Sequence, residues 1–156
     1  MKSITLTTEI KVCAMDELSE TDRLLVQKAQ EATLRSYAPY SHFRVGASVQ
    51  LENGTIVTGT NQENAAYPSG LCAERTALFY ANSQYPDQVV TALAIASRTE
   101  NGTLCQSTIS PCGACRQVMV ETEKRFGKPI KILLCGTEEV YIAESAQCLL
   151  PLSFDL

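Results

Sequence analysis

Histidine occurs once in the 156 residues, as His42. It sits in the loop-like PYSHF stretch, where a solvent-facing or hydrogen-bonding role suits it better than metal ligation. Long apolar runs are missing too. The longest apolar-rich segment, VVTALAIA at 89–96, falls far short of the about 20 residues a membrane-crossing helix needs. No stretch is strongly basic and the formal net charge is −4. A nucleic-acid polymer is therefore a poor partner, because neutralising phosphates takes clustered Lys and Arg. A small, neutral or weakly charged ligand suits this surface better. The opening MKSITLTTEIKVCAM carries Glu9 and Lys11 and has no unbroken apolar segment, so no signal peptide is expected. Internal repeats, low-complexity tracts and linkers are also absent.

What is present reads as one globular domain, 45 % hydrophobic and 19 % charged, of a size that buries a single core. Seven cysteines, with no export signal, suggest thiols or metal ligands in a reducing cytoplasm rather than disulfides. Ser19 followed by Asp22 marks a helix start; Leu25, Ala29, Ala32 and Ser36 then form one stripe, and that helix ends near Pro39. Val45, Ala47, Val49 and Leu51 alternate with smaller or polar residues. Asn53-Gly54 follows as a hairpin turn, and IVTGTN returns as a second strand. Residues 73–82 and 112–126 have helical spacing, the latter with Cys115, Val118, Met119 and Thr122 on one face. VVTALAIAS, KILLC and VYIA read as strands, and ESAQCLL as a short closing helix. The expected fold is α/β: a mixed five-stranded sheet covered by helices on both faces, a three-layer sandwich. Residues 1–17 are an extension, either an extra strand or a loose arm, and residues 18–156 form the single domain.

The chemistry gathers in two stretches. In SPCGACRQ, Pro111 precedes Cys112, which falls at a helix N-cap, and Cys115 lies three residues on, so both sulfurs face one side of the first turn. Unpaired N–H groups and the helix dipole there favour thiolates. In GLCAERTAL, Cys72 stands at another helix start, with Glu74 two residues later. Three thiolates with one open position would make a catalytic metal centre, and Glu74 would sit beside the opening. Other readings remain at this point. A thioredoxin-like redox pair lacks the expected aromatic before Cys112 and leaves Cys72 and Glu74 unexplained. A structural zinc with Cys105 as fourth ligand leaves Glu74 and residues 61–67 without a role. Cys13, Cys105, Cys135 and Cys148 otherwise suit buried apolar positions.

CAER at 72–75 with PCGAC at 111–115 resembles the zinc signature of the cytidine deaminase family. NQENAAY at 61–67 is similar to that family's nucleoside-binding segment, and PYSHFRVGA at 39–47 to its pocket segment near the N-terminus. The likeness runs from about residue 20 onward. It implies Zn²⁺, one per subunit, held by Cys72, Cys112 and Cys115, with Glu74 as the catalytic acid–base. It further implies that Arg75 donates to the cysteine ligands, with Arg116 a weaker candidate. Asn61 and Glu63 would hold the ribose 3′-hydroxyl, and Phe43 would pack on the base. The Ser110 carbonyl would sense the 4-amino group. Ala65 and Tyr67 would serve a neighbouring subunit's site, and Phe154 would reach across an interface into a neighbour's pocket. The implied activity is hydrolytic deamination of cytidine and 2′-deoxycytidine in pyrimidine salvage, by a cytoplasmic homotetramer with shared sites. Two alternatives stand beside it: a deaminase of another aminopyrimidine nucleoside such as blasticidin S, and a non-catalytic zinc or redox domain. Cys72 disfavours deoxycytidylate, since the members acting on it carry histidine there.

Overall fold

A computed structural model describes residues 1–156. The Ser19 hydroxyl accepts the Asp22 N–H at 3.1 Å and donates to the Asp22 carboxylate at 2.8 Å. This cap starts α1, Glu20–Ala32, by satisfying a donor that the helix itself leaves free. Leu25, Ala29 and Ala32 are fully buried. Ser36 is not on their stripe, because the chain tightens into a 3-10 turn at Thr33–Arg35 and then leaves the helix.

The expected hairpin forms from β2 (Arg44–Leu51) and β3 (Ile56–Thr60), and Gly54 at its turn takes φ +85°, which glycine alone adopts freely. Then come α2 (Ala73–Gln84), β4 (Val90–Arg98), α3 (Gly113–Phe126), β5 (Lys131–Cys135) and β6 (Glu139–Ala143). The expected closing helix is only a 3-10 turn at Ala146–Cys148.

The sheet has six strands rather than five. The additional one, β1 (Lys11–Ala14), pairs antiparallel with β6, and the order is β1-β6-β5-β4-β2-β3. Three of its four residues are exposed, so KVCA has no alternation that would announce a strand. Only β4 and β5 run parallel, joined by α3 as the crossover.

Strand β4 shows the layering. Leu93 and Ile95 enter the core under α2 and α3, while Ala92, Ala94 and Ala96 enter the core under α1. Close approach fixes the helices in place. At Gly59 a Cβ would stand 2.4 Å from the Ala77 nitrogen and 2.5 Å from the Ala73 oxygen, so α2 rests directly on the β3 backbone. Of the four cysteines expected in the core, Cys135 alone is buried; Cys13, Cys105 and Cys148 are partly exposed. Cys13 lies on the edge strand, and Cys105 and Cys148 lie outside strands and long helices; Cys13 and Cys148 still pack on the margins of the core. No helix is long and apolar enough to cross a membrane.

Candidate active site

Cys72 and Cys112 are the N-cap residues of α2 and α3, both with extended backbone (φ −71°, ψ 154° and φ −66°, ψ 165°). Neither cap uses a side-chain acceptor, and both residues stand at the positive end of a helix dipole. Cys115 lies in the first turn of α3 and is fully buried. The Cys72 and Cys112 sulfurs are 3.8 Å apart, those of Cys112 and Cys115 are 3.4 Å apart, and all three lie within 4.8 Å of one another. Sulfurs about 2.3 Å from a tetrahedral Zn²⁺ lie roughly 3.8 Å from each other. The trio fits such an ion. Cys105 is outside the group, so the four-cysteine structural site of the alternative reading is not formed.

Donation from the Cys115 thiol, together with Arg75, holds the Cys72 thiol down at about 5. The same sharing and burial push Cys115 well above the ordinary thiol range. The first proton leaves readily and a further one is strongly retained, so three thiolates require a cation among them. The Arg75 guanidinium lies 3.5 Å from the Cys72 sulfur. Arg116 does not reach the sulfurs. It spans the Pro111 and Leu149 carbonyls, at 2.8 Å each, and braces the loop before α3. Glu74, only 5 % exposed on the buried side of α2, has its carboxyl pushed up chiefly by burial. A carboxyl raised in this way holds a proton more readily than an exposed one does.

A cleft of about 470 Å³ opens beside the trio, lined by Tyr40, Ser41, Asn61, Glu63, Tyr67, Cys72 and Arg75 among others. Asn61 is almost fully engaged within the protein. Its Oδ1 accepts from Ser36 Oγ at 2.5 Å and from the Val45 N–H at 2.8 Å, and its Nδ2 donates to the Phe43 carbonyl at 2.9 Å. This pattern fixes the amide orientation and leaves one N–H for a ligand. Glu63 has its carboxyl held below the usual range, first by the Ser41 hydroxyl and then by the Tyr40 backbone. Tyr67 stands edge-on to Tyr40 at 6.2 Å.

A family model for the cytidine and deoxycytidylate deaminase zinc-binding region matches residues 19–127. The chain belongs to that family. The cytidine deaminase of Halalkalibacterium halodurans is 43 % identical over 99 residues, 64 % of this chain and 70 % of that protein. That of Sporosarcina psychrophila is 45 % identical over 97 residues, 62 % of this chain and 66 % of that protein. Among solved structures, the cytidine deaminase of Burkholderia pseudomallei superposes with a TM-score of 0.73 at 38 % identity, covering 88 % of this chain and all of that one.

Several residues expected to form the site do not line the cleft. Phe43 and Ser110 are exposed, and Ala65 is exposed on the loop that carries Glu63. The C-terminal segment folds back on α3. Gln117 accepts the Phe154 N–H at 3.1 Å and donates to the Phe154 carbonyl at 3.0 Å, while the ring is 68 % exposed. Sequence reasoning missed Gln117, Ser36 and Ser41. Each bonds to a residue at least 22 positions away, and no local pattern announces such a partner.

Proposed function

We propose that this chain hydrolyses cytidine and 2′-deoxycytidine to uridine and 2′-deoxyuridine with release of ammonia, a reaction of pyrimidine salvage. The observation that carries the reading is a buried carboxyl, Glu74, close to three thiols on two helix starts, one of which, Cys72, lines the cleft. Cys72, Cys112 and Cys115 would hold one zinc per chain. When bound, zinc supplies the Lewis acidity that makes water a nucleophile near neutral pH. Glu74 takes one proton from water as its oxygen bonds to C4 and passes it to N3; it then takes the remaining proton from the new C4 hydroxyl and delivers it to the departing 4-amino group. The C4–N bond breaks; cytidine and water become uridine and ammonia. Arg75 draws charge from the sulfurs, which carry a net −1 with the metal.

Phe43 packs on the base, and the Ser110 carbonyl reads the 4-amino group. Asn61 uses its one free N–H, with Glu63, to hold the 3′-hydroxyl, so the 2′ position is not read. Residues 18–156 act as the single catalytic domain. The assembly is a cytoplasmic homotetramer in which Ala65, Tyr67 and Phe154 reach a neighbour's site. Phe154, held by its backbone and 68 % exposed in its own chain, supports that sharing. Purified protein should release ammonia from both nucleosides and contain stoichiometric zinc. Zinc without ammonia release would leave a non-catalytic metal domain instead.

A further inference from the structure

Ser41 spends its one hydroxyl twice. It donates to Glu63 Oε1 and accepts the Phe43 N–H at 3.1 Å, a pair of roles that one serine oxygen fills at once. The Phe43 carbonyl is held in turn by Asn61 Nδ2 at 2.9 Å. Both peptide groups of Phe43 are therefore fixed, one through Ser41 and one through Asn61. Glu63 Oε2 receives the Tyr40 and Ser41 N–H groups at 2.9 and 3.2 Å, which closes the 40–43 segment around the carboxylate. Between Ser41 and Phe43 stands His42 at φ +56°, the one non-glycine residue with positive φ in the chain. That conformation is uncommon in an L-residue and persists only where surrounding bonds over-determine it. The clasp is what over-determines it.

Resting on the deaminase reading, we infer that Ser41 is a positioning residue that couples the ribose end of the cleft to its base end, bridging the Glu63 carboxylate to the backbone of Phe43. The aromatic that meets the base then stands where it does because the sugar-binding carboxylate is in place. Such a link acts on ground state and transition state alike, so its loss raises KM and leaves kcat nearly unchanged.

The experiment compares wild-type holoenzyme with Ser41→Ala and Ser41→Thr, using cytidine as substrate. Ser41→Ala is expected to raise KM roughly tenfold or more, the scale of a lost hydrogen bond to a charged group, and Ser41→Thr to restore most of it. A carbon-13 titration of the Glu63 carboxyl supplies a readout independent of activity. Its midpoint should move up in Ser41→Ala, because the hydroxyl is the largest influence holding it low, and stay low in Ser41→Thr. Unchanged KM in Ser41→Ala, or a fall in kcat alone, would overturn the coupling. Should wild-type protein release no ammonia, the deaminase reading fails by itself, and an unmoved Glu63 midpoint in Ser41→Ala would still overturn the clasp.

Discussion

Glu74 is the residue whose surroundings depart most from its exposed-helix alternatives. It follows Cys72 by two positions, faces the core, and has a carboxyl raised by burial. Glu74→Gln keeps the volume and removes the proton carrier. Turnover should fall about 10²–10⁴-fold or more, with zinc content and thermal stability close to wild type. A variant keeping a tenth of the activity would remove Glu74 from the role. Arg75 works at one remove, through its 3.5 Å contact to the Cys72 sulfur. Arg75→Gln should weaken zinc retention roughly 10–100-fold, read as a shift in the chelator concentration that strips the metal. No shift would make Arg75 a surface charge.

Among elements, α2 and α3 decide the chemistry, and the sequence revealed both because Cys72 and Cys112 mark their starts and small residues mark their buried faces. Loss of a ligand should separate the cysteines cleanly. Cys112→Ser should lose much of the zinc, whereas Cys105→Ser, outside the sulfur trio, should retain it. Zinc loss in Cys105→Ser would restore the structural-site reading. The seat of α2 is Gly59, where an added methyl meets backbone rather than a yielding side chain. Gly59→Ala should cost about 1–3 kcal/mol or more, measured as a lowered denaturant midpoint, and should move Glu74 and Cys72 together. Full stability would mean that α2 does not rest on β3 as described. Strand β1 was illegible for the opposite reason. Its pairing with β6 is made by backbone groups, which no side-chain pattern records, and its side chains are mostly in water.

For the whole molecule, periodicity conveyed the layered α/β arrangement, and spacing together with the likeness to the cytidine deaminase family conveyed the trio of thiols. It did not convey how the tail lies. Gln117 pins Phe154 by two backbone bonds, and Lys124 pairs with Asp155; partners 31 to 37 positions apart leave no local trace. The ring these bonds present is the test of shared sites. Phe154→Ala and Glu74→Gln proteins, dissociated together and reassembled, should regain activity if Phe154 serves a neighbour. No recovery from demonstrably mixed tetramers, or full activity in a monomer, would sink that arrangement. The split origin of the sulfurs also sets an order of events at the ribosome. Cys72 and Cys112 lie 40 positions apart, so at about 5–20 residues per second the first thiol waits roughly 2–8 s for the second. Strand β5, the parallel partner of β4, is translated later still. Until Cys115 emerges, the nascent chain thus shows an incomplete set of the three sulfurs, and the set is complete before β5 is made.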